Sequence, residues 1–137
     1  MTEPSSKTTL LVIEDDPVIT FIVRRMIERE RGSAVQVLNS PNGKDGIETA
    51  RRERPDVILL DWMMADYDGE YFLKQQSQNP EIAQVPVLIY TALPQERLEK
   101  ITKNYPAVKL SIHKPVLPSK LFQKMEPYLK PAATPRA

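Results

Sequence analysis

Short apolar runs alternating with amphipathic stretches constrain this chain more than any other feature. Leu10–Ile13, Val57–Leu60 and Val85–Tyr90 are apolar on both faces, as strands are when helices cover both sides of a parallel sheet. Ala34–Leu38 alternates and reads as a second strand, and Val108–Ile112 reads as a fifth. Between them the apolar period lengthens to three and four, the spacing of one helix face. Helices are expected over about 17–31 (Ile19, Ile22, Val23, Met26 and Ile27 inward), 44–54 (Ile47 and Ala50 inward), 69–78, 95–104 and 118–130 (Leu121, Phe122 and Met125 inward). Asp16-Pro17 is a helix start, with an acid at the N-cap and proline at the first helical position. Gly32 stops that helix and Pro55 ends the next. Ser40–Gly43 reads as a loop. The order βαβαβαβαβα predicts one doubly wound α/β domain around a five-stranded parallel sheet.

The chain has 137 residues, enough for one sizeable core. Residues 1–8 and 131–137 are polar or proline-bearing without apolar periodicity. They are expected to be disordered tails, or linker on the C-terminal side, leaving 9–130 as the domain. Nineteen basic and 18 acidic residues leave a net charge of +1, so net charge suggests no direct binding to nucleic acid or an anionic membrane. The absence of cysteine excludes disulfides, thiolate metal sites and a cysteine nucleophile, and a single histidine excludes a multi-histidine metal site. No apolar run approaches the roughly 18 residues of a membrane span, and the start has no apolar signal core. A cytoplasmic protein is expected.

Ligands of open α/β sheets bind beyond the carboxyl ends of the strands. There this chain carries Glu14-Asp15-Asp16 after strand 1, Asp61 after strand 3, Thr91-Ala92 after strand 4 and His113-Lys114-Pro115 after strand 5. Two carboxylates about 4 Å apart repel by roughly 4 kcal/mol at an effective dielectric near 20. A raised pKa, Lys114 or a divalent cation can offset this. Carboxylates without histidine or cysteine are hard oxygen ligands suited to Mg²⁺, or to Mn²⁺. With the Lys114 ammonium and Thr91 hydroxyl as donors to an anion, the set suits phosphoryl transfer onto a carboxylate.

Glu14-Asp15-Asp16-Pro17, Asp61 after an apolar strand, Thr91-Ala92 and Lys114-Pro115 together resemble the receiver domains of two-component response regulators, over about residues 9–130. The resemblance implies a flavodoxin-like (βα)5 fold with strand order 2-1-3-4-5. It also implies a signalling receiver rather than an enzyme, with intrinsic Mg²⁺-dependent self-phosphorylation and dephosphorylation. Asp61 is then the phospho-acceptor. Asp15 is a direct metal ligand, Glu14 holds a metal-bound water, and the Met63 backbone carbonyl completes the protein ligands with Asp61. Thr91 and Lys114 bond the phosphoryl oxygens, and Asp16 caps the first helix. Lys114-Pro115 resembles the family's cis bond. The implied partners are a sensor histidine kinase or histidine phosphotransfer protein as donor, and an output protein whose binding is switched.

Three positions depart from the family pattern. Ala65 stands where proline usually follows the loop methionine, here Met64. Ser111 stands where a ring usually rotates on activation. Tyr105–Lys109 lacks the usual glycine-alanine turn. His113 reads as a strand-end residue, Trp62 as packing beside the site, and Asp66–Gly69 as a turn rather than a calcium loop. Three other readings fit the residues less well. A Mg²⁺-dependent aspartyl-phosphate phosphatase needs an acid where Met63 stands. A flavodoxin-type cofactor binder needs a phosphate-cradling loop where Glu14–Asp16 stands. A non-phosphorylated receiver-like scaffold does not need the complete acidic set.

Overall fold

The computed structural model describes residues 7–131; most of the two expected tails, residues 1–6 and 132–137, lies outside the described residues. Five strands, β1 (Thr8–Ile13), β2 (Val35–Ser40), β3 (Val57–Leu60), β4 (Val87–Thr91) and β5 (Val108–His113), form one parallel sheet in the order β2-β1-β3-β4-β5. They alternate with helices α1 (Pro17–Arg31), α2 (Gly43–Glu53), α3 (Gly69–Ser77), α4 (Gln95–Thr102) and α5 (Pro118–Met125).

The period-two register of the central strands builds two cores. Leu10 and Val12 of β1, with Val57 and Leu59 of β3, face Val23, Met26 and Ile27 of α1 and Met125 of α5. Leu11, Ile13, Ile58 and Leu60 point to the other side, with Ile47 of α2 and Phe72 and Leu73 of α3. Both faces of β1 and β3 are thus dry, which is why their sequence shows no polar alternation. A fully buried side chain such as Phe72 contributes roughly 1.5–3 kcal/mol relative to its exposed state.

The ends of elements differ from the sequence reading for local reasons. Thr8, expected in the tail, opens β1; it is buried and its Oγ1 accepts from Lys130 N. Ser40, expected in a loop, ends β2, where its buried hydroxyl lies 3.0 Å from that of Thr49. Asn42 then caps α2 by accepting from Asp45 N at 2.8 Å, so Gly43 opens that helix. Strand β4 starts at Val87, after Pro86, whose missing N–H disfavours an interior strand position. Helix α5 stops at Met125 and passes into a single 3-10 turn, Glu126–Tyr128, because Pro127 has no N–H for the ladder. Ile22, expected inward, is exposed, since α1 buries the narrower stripe of Val23, Met26 and Ile27.

Candidate functional site

Placing β1 beside β3 is what assembles the acids. Ile13 and Leu60 are register partners, so the residues that follow them emerge side by side. Asp61 N donates to Ile13 O at 3.0 Å and Glu14 N to Ser40 O at 2.9 Å, which extends the ladder one step beyond the strands. Glu14, Asp15 and Asp61 each present a carboxylate oxygen within 4.8 Å of the others. Glu14 and Asp61 are buried, while Asp15 is exposed at the rim.

Lys114 reaches this cluster from the far edge of the sheet. Its backbone N–H donates to Thr91 O at 2.8 Å. Its ammonium lies 3.0 Å from Glu14 Oε1 and 3.5 Å from Asp61 Oδ2, with 18% of the side chain exposed. The peptide bond from Lys114 to Pro115 is cis. Burial and the neighbouring Asp61 charge push the Glu14 carboxyl up to about 7, against the lowering effect of Lys114. Burial by itself would lower the Lys114 ammonium, but its hydrogen bond to Glu14 and the Asp61 and Glu14 charges hold it above its ordinary value. One ammonium therefore does not offset two buried carboxylates. A hard divalent cation fits both the remaining charge and the all-oxygen donor set.

The loop after β3 is braced against the same cluster. Met63 N donates to Asp61 Oδ1 at 3.2 Å, with the Met63 side chain exposed. Ala65 N donates to the Asp15 carboxylate at 3.4 Å, a contact that proline at this position lacks the N–H to make. Farther on, Gly43 N donates to Tyr67 O at 2.6 Å. A side chain at Gly43 would bring its Cβ within 2.5 Å of that carbonyl oxygen, so glycine alone permits the approach. Asp68 caps α3 by accepting from Tyr71 N at 3.0 Å, a helix-cap role where the sequence reading gave a turn. Trp62 is buried against Gly69.

Of the residues singled out from the sequence, Glu14, Asp15, Asp61 and Lys114 come together. Asp16 caps α1 by accepting from Val18 N at 2.9 Å. Thr91 ends β4, fully buried, with its hydroxyl accepting from Leu93 N at 3.4 Å; among the described residues no hydrogen bond joins that hydroxyl to the acids. Ser111 lies in β5, half-buried and paired with Ile89. His113 ends β5, and its Nε2 lies 3.2 Å from Ala92 O. Two roles escaped the sequence reading: the Gly43 clamp and the Ala65 N–H. Asn42-Gly43 signals a turn, but not which distant loop it touches.

Residues 10–126 match the profile of the response regulator receiver domain. The protein PilH of Pseudomonas aeruginosa is 34% identical over 64% of this chain and 69% of its own length. The probable C4-dicarboxylate response regulator DctR of Priestia megaterium is 31% identical over 88% of this chain, and the chain spans about half (51%) of that relative's length. The fold matches the crystal structure of the signal receiver domain of a LuxO repressor protein from Vibrio parahaemolyticus with a TM-score of 0.79, at 22% identity over 90% of this chain and 91% of that one. Among the described residues no helix is long and apolar enough to cross a membrane. The profile match, spanning nearly the whole described chain, shows that it belongs to the response regulator receiver domain family of two-component signalling.

Proposed function

We propose that the chain takes a phosphoryl group from a phosphohistidine donor onto Asp61 and thereby changes its affinity for an output partner. The observation that carries this reading is the convergence of Glu14, Asp61 and Lys114 from three strand ends. Asp15 and Asp61 would hold Mg²⁺ directly, Glu14 through water, and the Met63 carbonyl would complete the protein ligands. The bound cation would neutralise charge on the transferring group. Asp61 supplies the attacking carboxylate oxygen. The new O–P bond forms as the imidazole N–P bond breaks, and the donor histidine, which carries a proton on its other ring nitrogen, keeps the bonding pair and leaves neutral. Lys114 is already anchored by Glu14, so it is positioned to pair with a phosphoryl oxygen without reorganisation. Thr91 would bond another phosphoryl oxygen after releasing its contact with Leu93 N. The folded unit for this chemistry runs from about residue 8 to 130, since Lys130 is tied back to Thr8.

The donor would be a sensor kinase or histidine phosphotransfer protein. Val18, Phe21 and Leu117 are exposed apolar residues at the start of α1 and before α5, a surface suited to an interface core around a charged site. Phosphoramidate, a small P–N donor, tests the chemistry without a partner. With Mg²⁺ present it is expected to change the fluorescence of Trp62, the single tryptophan, which adjoins Asp61. An equal response in Asp61→Asn would remove Asp61 as acceptor.

A further inference from the structure

A cavity of about 240 Å³ opens at the opposite end of the sheet from the acidic cluster, beside the residues that precede β4 and β5. Its walls include Leu73 and Gln76 of α3, Ala83, and the turn Tyr105-Pro106-Ala107. A bulge shapes one side: Val87 pairs with Val108 but Leu88 with Leu110, so Lys109 is the extra residue of β5.

Gln76 is the informative wall. It is a polar residue only 1% exposed, on the buried face of α3. Its amide nitrogen donates to Ile82 O and to Val85 O, both at 3.0 Å. That uses both amide hydrogens. Among the described residues no donor meets its Oε1, and no side-chain polar atom is both fully enclosed and unpartnered. Oε1 is therefore not fully enclosed, and Gln76 is one of the residues that line the cavity. The acceptor is fixed in place, because rotating the amide would break two bonds to backbone carbonyls.

The rest of the lining defines the complementary ligand. Leu73, Ala83, Pro106 and Ala107 offer apolar surface and Tyr105 a ring, while the polar Ser77, whose hydroxyl donates to Lys74 O at 2.8 Å, and the exposed Gln84 complete the wall. Burial and the nearby Glu70 charge raise the Tyr105 phenol, which keeps it neutral. The nearby charges are engaged: Lys109 Nζ donates to Pro106 O at 3.0 Å, and Lys74 stands 4.0 Å from Glu70. The volume is below the roughly 300–1,000 Å³ usual for drug-sized ligands. We propose that this cavity binds a small neutral aromatic molecule carrying a single N–H or O–H donor, with that donor on Gln76 Oε1. This site is independent of Asp61 and its chemistry.

Indole and benzofuran test it, because they share ring size and differ in the N–H. Each is titrated into the ¹⁵N-labelled full chain and followed by NMR. Indole is expected to shift the amide signals of residues 73, 76, 83, 105 and 107 in a saturable way. Benzofuran is expected to bind at least fivefold more weakly, because it leaves a desolvated acceptor unpaired. Ala83→Trp, which fills the cavity and spares the Gln76 bonds, is expected to abolish the indole shifts. Equal binding of the two rings would overturn the assigned acceptor. The absence of saturable shifts in the wild-type chain would overturn the site.

Discussion

Lys114 Nζ, carried beyond the end of β5, lies 3.0 Å from Glu14 Oε1 at the end of β1, although β3 and β4 separate the two strands in the sheet. The pair ties the edge of the sheet to its centre and sets the electrostatics of the site. Burial and Asp61 nevertheless hold the Glu14 carboxyl near 7 rather than its ordinary 4.5. The folded state therefore binds this proton more tightly than the unfolded chain. That contribution to stability is complete below about pH 4.5 and is lost as the pH rises through 7. Denaturant unfolding in the presence of a chelator, from pH 4.5 to 8, checks it. The wild-type chain is expected to lose about 3 kcal/mol relative to Glu14→Gln across that range. Parallel curves would show that Glu14 is charged throughout.

Asp15 and Ala65 give a second expectation. Asp15→Ala is expected to abolish the Mg²⁺ response of Trp62 fluorescence while leaving the metal-free fold as stable or slightly more so, since a like charge is removed from the cluster. Ala65→Pro removes the N–H that donates to the Asp15 carboxylate at 3.4 Å. Freeing that carboxylate is expected to tighten Mg²⁺ binding about two- to threefold, the size of a weak exposed hydrogen bond. Weaker binding in Ala65→Pro would mean that the contact orients Asp15 for the metal.

Phe21 separates docking from packing. Its side chain is 60% exposed on α1, with the Arg25 guanidinium 5.9 Å from the ring centre. Phe21→Ala is therefore expected to change stability by less than about 1 kcal/mol. Phosphotransfer from a phosphohistidine protein is expected to slow at least tenfold, with the rate from a small phosphodonor unchanged. Comparing the two donors makes the distinction; slowing with both would place Phe21 in the chemistry rather than the interface.

Thr91 and Ser111 locate the output route. Ser111 has no ring to move in or out of the groove between α4 and β5, so under the proposed function the signal is expected to run through Thr91 and the Ala92–Pro94 loop. Thr91→Ala is expected still to accept phosphate on Asp61 but to lose the phosphorylation-dependent change in partner affinity. Ser111→Ala is expected to keep that change. A large loss in Ser111→Ala, with Thr91→Ala near wild type, would put the switch elsewhere.

The five strands, five helices and the parallel sheet were legible because Leu10–Ile13 and Val57–Leu60 are apolar on both faces while the helices carry a narrow stripe. The strand order came from family resemblance, because local periodicity does not encode which strands pair. That order brings Asp61 beside Glu14 through the Ile13–Leu60 register. Element ends were less legible. Ser40 and Thr91 are polar strand termini whose buried surroundings come from distant segments, and Pro127 truncates α5 inside an intact apolar stripe. Gln76 was illegible as a site because its partners, Ile82 O and Val85 O, are backbone groups of a turn.

Asp61 is expected to become an acyl phosphate, and intact-mass spectrometry after incubation with acetyl phosphate and Mg²⁺ tests this most directly. The wild-type chain is expected to gain one phosphate mass increment that is lost on mild base or hydroxylamine treatment, with Asp61→Asn gaining none. An increment of the same size in Asp61→Asn, or none in the wild-type chain with Mg²⁺ bound, would contradict the account.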